Sequence, residues 1–454
     1  MKTFRINEAE VLSHDNIEKA FLKPSLGKRS RPDVKSVLDN LEQEIEKLRG
    51  ILERGEYQPA NHTPVKINER NYQKERTIIK PNYKYEQVVH HIVVQALKPG
   101  IETGMYEYVL GSIPGRGPHR GAKKIEHWIR TDISNTKYVL KMDIRHFFQS
   151  VDHDVLKAWL AKKYRDSNSI ELAYLIIDAI EEGLPLGYYT SQWFANFLLQ
   201  PLDHYIKEQL HVKYMTRYMD DIVCFGRNKK KLHEARREIS KYLEENFRLH
   251  LKKNWQVFRF EYVSEERTIM CRNLRELEAF KNELDSLRIR HRIKMHRGKR
   301  KIFIKEASIG KKQESFDKLV SKYKAEEQVL KMVHGRPLDY MGFEFHRDRT
   351  LIRESTMYRL TKKARQVSKQ EHINPKDAMA LLSRMGVLKH TDTYAMYEAR
   401  IKPITNVKKL KKVVSKQTRR TAHENSILSS QRGNTGRASV GTRQDIKPVD
   451  SISP

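Results

Sequence analysis

The sequence predicts an α+β fold, in which a small antiparallel sheet is backed by helices. The first observation is the order of elements from 138 to 246, which is strand, helix, helix, hairpin and helix. The second is a hydrophobic content of 38% in 454 residues, enough for roughly two to four packed lobes. The third is the hairpin itself, in which Asp220 and Asp221 stand between Met215 and the apolar run 222–225.

The charge balance of the chain indicates a polyanionic partner. The chain has 88 Lys and Arg residues against 57 Asp and Glu residues, a formal net charge of +31. Such a charge opposes compaction unless counter-charge is present, and nucleic acid is the commonest polyanion that supplies it. No apolar run reaches transmembrane length and no apolar signal follows Met1, so we expect no membrane partner. The only cysteines, Cys224 and Cys271, are too few for a four-cysteine zinc site, and a reduced, cytoplasmic protein is expected.

The N-terminal part is predicted to be mainly helical. Apolar residues at helical spacing predict a helix over 34–54 that Gly55 stops, and a second helix over 84–98. Between them, residues 63–79 predict a basic extended stretch. Residues 112–121 form a basic loop rich in glycine and proline, and a further helix follows it.

The central part alternates strands and helices. A buried strand is predicted over 138–144, followed by helices from about 155 and over 170–180. Residues 183–187 predict a turn that leads into another helix, and the acidic hairpin comes next. A charged helix over 229–246 completes this part.

The C-terminal part begins with a change of character. Residues 261–335 are dense in charge and predict an insertion with a helix over 274–290 and a basic surface, for which structured RNA or a protein partner is expected. A strand is predicted over 339–345, with Leu351-Ile352 as its hairpin partner. A basic helical region follows, and polar residues then predict a tail without a packed core.

Asp143 ends an apolar strand well before Asp220 and Asp221 in the sequence. Ionised carboxylates are costly to bury unless they are paired or bind a metal, and hard divalent cations prefer oxygen ligands. If the two strands pair in one sheet, three carboxylates meet around two magnesium ions, the arrangement that nucleotidyl transfer uses. Taken alone, the Asp220-Asp221 pair is far more typical of a solvated turn than of a metal site.

At this point the chain resembles the reverse transcriptases. The similarity is carried by segments that follow one another in that family's order and together span about residues 60–400. They are Arg76-Thr77-Ile78-Ile79-Lys80-Pro81, the loop 114–121, Met142-Asp143-Ile144-Arg145-His146-Phe147-Phe148, Leu186-Gly187-Tyr188-Tyr189-Thr190-Ser191-Gln192, Tyr218-Met219-Asp220-Asp221 and Asp339-Tyr340-Met341-Gly342-Phe343.

The resemblance implies a right-hand polymerase whose antiparallel palm sheet is backed by helices. The fingers would span 1–137, the palm 138–355 with the insertion 261–335, and the thumb 356–417, with a disordered tail over 418–454. It implies RNA-directed DNA synthesis with two Mg²⁺ ions, for which Mn²⁺ can substitute. The partners would be an RNA template, a DNA or RNA primer and deoxynucleoside triphosphates.

The resemblance also implies roles for individual residues. Catalysis would fall to Asp143, Asp220 and Asp221, with Ile144 joining them as metal ligands. Nucleotide-binding residues would be Lys74, Arg76, Phe148, Gly187 and Gln192. Nucleic-acid-binding residues would be Arg116, His119, Arg120, Tyr340, Met341 and Gly342. For the lysine that many members place near the pyrophosphate, Lys252 and Lys253 remain equal candidates.

The pattern Leu186-Gly187-x-x-x-Ser191-Gln192 is similar to the form found in diversity-generating retroelements. That resemblance implies mutagenic copying of a template-repeat RNA together with a small basic accessory protein. Two alternatives stay open, namely a reverse transcriptase of antiphage or abortive-infection systems and a non-catalytic RNA-binding scaffold. Group II intron and retron enzymes are weaker matches.

Overall fold

The computed structural model describes residues 3–60, 63–69, 74–296 and 299–419. The chain divides into two compact units, Met1–Arg349 and Thr350–Pro454. Within the described ranges, no helix combines the length and apolarity needed to cross a membrane.

The first unit begins with a cluster of helices. They are α1 (Glu8–Val11), α2 (His14–Ser25), α3 (Pro32–Asp39) and α4 (Leu41–Glu53). The prediction of one helix over 34–54 was wrong, because α3 and α4 are separated by Asn40, whose φ of −124° and ψ of 32° are not helical. Gly55 has a φ of 67°, which glycine adopts at little cost, and it follows the end of α4 as expected.

A hairpin and two helices follow. They are β1 (Val65–Glu69), β2 (Lys74–Ile78), α5 (Val88–Thr103) and α6 (Pro118–Thr131), and β1 pairs with β2 antiparallel. The sequence placed His119 and Arg120 in a glycine-rich loop, which was wrong, because α6 already begins at Pro118. Proline is favoured at the first helical position, since its missing N–H would have no partner there in any case.

The central sheet has four antiparallel strands. They are β3 (Tyr138–Asp143), β4 (Tyr214–Tyr218), β5 (Asp221–Gly226) and β6 (Gln256–Arg259), in the order β4-β5-β3-β6. The helices of this region are α7 (His153–Lys163), α8 (Asn168–Asp178), α9 (Tyr189–Leu198), α10 (Gln200–His204) and α11 (Lys229–Phe247). Helix α11 packs on β3, β5 and β6 through a buried face that includes Leu232, Ile239 and Leu243. The predicted antiparallel sheet backed by helices is confirmed.

The charged insertion folds as a module of its own, which we call the insertion module (residues 262–334). Its elements are β7 (Tyr262–Met270), α12 (Leu274–Ser286), β8 (His291–His296), β9 (Lys299–Lys305), α13 (Glu306–Ile309), α14 (Gln313–Lys322) and β10 (Glu326–His334). The strands form an antiparallel sheet in the order β10-β7-β9-β8. The sequence predicted the helix, which ends at Ser286 rather than at 290, but not the sheet.

The two ends of the insertion module lie side by side. The N–H of Glu261 donates to the carbonyl of Arg336 at 3.1 Å, and the N–H of Arg336 donates to the carbonyl of Arg259 at 3.2 Å. Gly335 between them has a φ of 77°, and a Cβ there would lie 2.7 Å from the carbonyl oxygen of Phe260. The module therefore begins and ends at two backbone segments that are in direct contact.

The segment after the module folds back on itself. The predicted single strand 339–345 was wrong, because the chain turns between β11 (Leu338–Tyr340) and β12 (Phe343–Phe345), which pair antiparallel. Met341 and Gly342 at the turn have φ values of 52° and 86°. Two successive left-handed residues reverse a strand direction tightly.

The second unit is helical after one short strand. It contains β13 (Thr350–Ile352), α15 (Glu354–Ser368), α16 (Pro375–Gly386), α17 (Tyr394–Arg400) and α18 (407–419). Its own apolar core includes Met357, Leu360, Leu381 and Ile401. The predicted tail lies outside the described residues from 420 onward, while 418 and 419 belong to α18.

Candidate active site

The register of the central sheet brings three carboxylates together. Asp143 at the end of β3 is directly opposite Asp221 at the start of β5. Directly opposed residues of antiparallel strands project on the same face of a sheet. Asp220 stands beside them, because its carbonyl accepts a hydrogen bond from the N–H of Ile144 at 3.2 Å. Residues far apart in the sequence thus share one end of the sheet.

The carboxylates influence one another electrostatically. Burial raises the pKa of Asp220 to about 6, and the charges of Asp143 and Asp221 add to this rise. Within the described residues, Lys252 forms an ion pair at this centre, with its Nζ 2.5 Å from Oδ1 of Asp143. The N–H of Lys252 also donates to the carbonyl of Asp143 at 2.8 Å. Of the two candidate lysines, Lys252 is the one that contacts the acidic centre.

The chemistry of this donor set fits hard divalent cations. The charges of Asp143 and Asp221 add to the effect of burial in raising the pKa of Asp220, and a bound cation would relieve this repulsion. All donors are oxygens, the ligand type that Mg²⁺ takes, and Mg²⁺ completes its shell with water and substrate phosphates. Among the described residues, no group of three or more His, Cys, Asp or Glu side chains is arranged so that it could hold a metal ion as it stands.

A buried arginine supports the turn that carries Asp220. Arg217 on β4 is fully buried, and it pairs with Asp203 through Nε to Oδ1 at 2.8 Å and Nη2 to Oδ2 at 2.6 Å. Its Nη1 donates to the carbonyl of Met219 at 2.9 Å, where Met219 has a left-handed φ of 55°. Burial raises the pKa of Asp203, whereas the guanidinium of Arg217 opposes this rise. The ion pair thus holds the hairpin turn to α10.

Sequence reasoning missed this support. Arg217 stands among the apolar residues of a strand, and a charged residue in such a run is the signal that was overlooked. Asn196 on α9 belongs to the same network, since its Oδ1 accepts from Nη1 of Arg217 at 3.2 Å. Its Nδ2 also donates to the carbonyl of Gly111 at 2.9 Å.

Tyr340 supports the hairpin from another side. Its side chain is completely buried, and its hydroxyl donates to the carbonyl of Asp221 at 3.1 Å. Burial raises the pKa of Tyr340 well above its usual value. The sequence assigned this residue to nucleic-acid contact, but the structure directs its hydroxyl inward. Met341 and Gly342 form the turn that follows it.

The segment with Gly187 and Gln192 borders a cavity of about 570 Å³ whose lining also includes Ile79, Lys80 and Tyr189. Gln192 is exposed at this cavity. Gly187 has a φ of 116°, and a Cβ there would lie 1.9 Å from the carbonyl oxygen of Ile79. The N–H of Ile79 donates to the carbonyl of Leu186 at 2.8 Å. The missing side chain of Gly187 therefore makes room for the end of the β2 segment.

Phe148 lies in a short 3₁₀ turn over Phe147–Ser150, just after β3. Its ring is half-buried, 5.5 Å from the ring of Phe147, and its carbonyl accepts from the N–H of Leu184 at 2.6 Å. Lys74 and Arg76 lie on β2, but their side chains fall outside the part of the chain that the structure describes.

The residues expected to contact RNA near α6 have protein partners. Nη1 of Arg116 donates to the carbonyls of Tyr106 at 2.9 Å and Glu107 at 3.4 Å. Arg120 forms an exposed pair with Glu107 at 3.4 Å. The ring of His119 packs edge-on against Phe343, with centroids 5.8 Å apart. Arg116 therefore braces the loop.

Several known proteins are similar to the chain in amino-acid sequence. The family model described as "Reverse transcriptase (RNA-dependent DNA polymerase)" matches residues 67–345. The Retron Ec73 reverse transcriptase of Escherichia coli is 26% identical over 137 residues, which cover 26% of this chain and 43% of that protein. An uncharacterized 91 kDa protein in the cob intron of Schizosaccharomyces pombe is 30% identical over 142 residues, which cover 29% of this chain and 17% of that protein. The chain thus spans less than half the length of both curated relatives.

Among solved structures, apo telomerase from Candida tropicalis, truncated from its C-terminal domain, is similar to part of the chain. The TM-score is 0.36 at 15% sequence identity, and the match covers 46% of this chain and 53% of that one.

Proposed function

The chain belongs to the reverse transcriptase family, and from this premise we propose that it is an RNA-directed DNA polymerase. The observation that supports the proposal best is the pairing of Asp143 with Asp221 across the central sheet, beside Asp220. A protein that only bound RNA would gain nothing from three crowded carboxylates, because they repel phosphate. We therefore set aside the non-catalytic scaffold.

In this proposal Asp143, Asp220, Asp221 and the backbone of Ile144 hold two divalent ions, Mg²⁺ or Mn²⁺. When bound, such ions activate the primer 3′-hydroxyl and stabilise charge on the leaving pyrophosphate. The protein's own part is to fix the carboxylates, through the register of β3 and β5 and the hydrogen bonds to the hairpin turn. Preorganisation of this kind saves the cost of gathering like charges during the reaction.

The remaining assigned residues complete the proposal. Lys252 is our choice for the lysine near the pyrophosphate, because its ammonium already lies at the acidic centre. Phe148 would select deoxyribose, and Lys74, Arg76, Gly187 and Gln192 would form the nucleotide pocket. The exposed Arg120, the ring of His119 and the backbone of the Tyr340-Met341-Gly342 turn would border the nucleic acid, with Arg116 bracing its loop.

The test of catalysis is Asp220→Asn. We expect primer extension on poly(rA)/oligo(dT) with Mg²⁺ to fall by about 10³-fold or more, because losing a charged ligand removes several kcal/mol of transition-state stabilisation. RNA binding by filter retention should stay near the wild-type value. Asp154→Asn, whose side chain is 90% exposed on α7, is the matched control and should extend normally. Extension by Asp220→Asn within tenfold of the wild type would contradict the proposal.

For the biological role, we propose mutagenic copying in a diversity-generating retroelement, in the cytoplasm and with a small basic accessory protein. The support is the segment Leu186-Gly187-x-x-x-Ser191-Gln192. Sequencing of cDNA made on a mixed-base RNA template should reveal errors concentrated at template adenines. Faithful cDNA, together with neighbouring DNA that lacks a template and variable repeat pair, would favour the antiphage role instead.

A further inference from the structure

The insertion module is a two-layer structure whose helices lie on one face of its sheet, while Glu266, Thr268 and Phe303 on the other face are buried between charged side chains at the rim. Its chain order is strand, helix, two strands, two helices and strand, and its sheet order places the first and third strands in the middle. Ile269, Ile302 and Ile304 of the sheet pack against Phe280 of α12 and Phe316 of α14. All helices of the module therefore lie on the face that carries these isoleucines.

The strand registers identify the residues of the opposite face, which we call the open face. Lys294 of β8 is directly opposite Lys301 of β9. Two residues further along each strand, Arg292 is opposite Phe303. Lys305 of β9 is opposite Glu266 of β7. Lys299 is on this face as well, because it is separated from Lys301 by two positions.

Two acidic residues lie on the open face, Glu266 and, opposite Met270 near its end, Glu326, and Glu266 is already neutralised. Glu266 is fully buried and forms an ion pair with Arg292, and its Oε1 also lies 3.0 Å from Nε2 of His334. In contrast, Lys294, Lys299, Lys301 and Lys305 have no ion pair or side-chain hydrogen bond to any described residue. Lys301 is half-buried and the other three are exposed.

Three basic residues on the helical side of the module have acidic partners. Arg267 pairs with Glu306 at 2.7 Å and Glu327 at 2.8 Å. Lys318 pairs with Glu314 at 2.8 Å, and Lys322 with Glu283 at 2.6 Å. These three cations have acidic partners, whereas the four lysines of the open face form no ion pair with a described residue.

This arrangement opposes folding unless a polyanion is present. Like charges directly across a sheet, such as Lys294 and Lys301, are destabilising. Charged residues on an edge strand hinder its pairing with a strand of another chain, and this role would account for Lys294 on β8. It does not account for Lys301 and Lys305, because β9 is an interior strand.

We propose that the open face of the insertion module binds the phosphate backbone of an unpaired RNA strand, as a second nucleic-acid site separate from the acidic centre. Lysines two residues apart on β9 stand about 7 Å from each other, an interval that an extended nucleotide backbone can match. The aromatic residues of this face are engaged internally, since Tyr262 stacks on His334 at 5.3 Å and Arg292 lies 5.7 Å from the Phe303 ring. Binding should therefore depend on charge and be insensitive to base sequence.

The proposal rests on the proposed function only for the choice of RNA, and its test does not require synthesis. The probe is fluorescein-labelled poly(rU), measured by anisotropy over a salt series with the full chain already saturated by a primer–template duplex. The test variant is Lys294→Gln/Lys301→Gln/Lys305→Gln, which spares Arg292 so that Glu266 keeps its partner. The control is Arg275→Gln/Lys318→Gln/Lys331→Gln, which removes the same charge from the helical side.

The expected result is weaker binding by the test variant and a salt slope reduced by about 2, at about 0.7 for each lost phosphate contact. The control should keep the wild-type slope, and both variants should extend a short primer–template normally. Equal slopes for the two variants, or tighter binding of oligo(dT) than of poly(rU), would each overturn the proposal. Absence of primer extension by the wild-type chain would refute the proposed polymerase activity. The anisotropy result would still test the RNA-binding proposal independently.

Discussion

Gly187 occupies a position where the backbone leaves no room for a side chain. We expect Gly187→Ala to lower stability by about 1–3 kcal/mol from backbone strain alone, with a further loss because Cβ would stand 1.9 Å from the Ile79 carbonyl. Thermal unfolding and primer extension measure the two consequences, and both should worsen. Gly27→Ala separates strain from collision, since Gly27 has a φ of 72° but nothing within 4 Å of a Cβ. If both variants lose the same stability, the contact with Ile79 has no role.

The roles of some residues of the acidic centre could be predicted from the sequence, whereas the roles of others could not. The acidic trio could be predicted, because carboxylates at strand ends have few uses besides capping and metal binding. Lys252 could not be separated from Lys253, since that choice depends on how the chain leaves α11 and returns to β6. Tyr340 was given an outward role by resemblance, but its burial depends on tertiary packing that no local pattern encodes.

At the scale of elements, the hairpin of β4 and β5 depends on one buried ion pair. We expect Arg217→Met to cost about 3–5 kcal/mol in unfolding free energy, because it leaves the Asp203 carboxylate buried without a partner. The double variant Arg217→Met/Asp203→Leu should be more stable than the single one, since no charge remains buried. Urea unfolding measures both.

Primer extension separates stability from positioning in the same variants. Both should lose activity, because neither retains the hydrogen bond to the Met219 carbonyl that fixes the turn. A fully active double variant would contradict the positioning role of Arg217, and a single variant that loses less than about 1 kcal/mol would contradict the burial argument.

Strands and helices whose apolar residues follow a clear pattern could be predicted from the sequence. Those in which charged residues interrupt that pattern could not. Strand β5 of the acidic hairpin was recovered because it is a continuous apolar run, and helix α11 because its buried residues recur on one face. The sheet of the insertion module was missed, because its strands carry charged residues on the open face and in part on the other. The interruption at Asn40 and the reversal at Met341-Gly342 are single-residue backbone choices that periodicity does not report.

At the scale of the whole molecule, the insertion module should be separable from the central sheet. The apolar cluster around Phe280 and Phe316 contains residues of the module only, so we expect its removal to leave the core cluster of the central region intact. We expect a chain in which residues 262–334 are replaced by a short glycine–serine linker to fold and to extend a short primer–template. Circular dichroism and primer extension check this, and the same linker inserted after Glu261 without deletion is the control. An insoluble or inactive shortened chain would show that the module is needed for folding.

The close contact between Gly335 and Phe260 favours tolerance of insertions and deletions at this position. Backbone hydrogen bonds already join the two ends of the module. A segment inserted between these ends therefore does not have to bridge a gap. The entropy lost on closing a loop grows only with the logarithm of its length. Insertions or losses at this point would therefore leave the energetics of the neighbouring sheet almost unchanged, so the position is open to exchange of entire folded units.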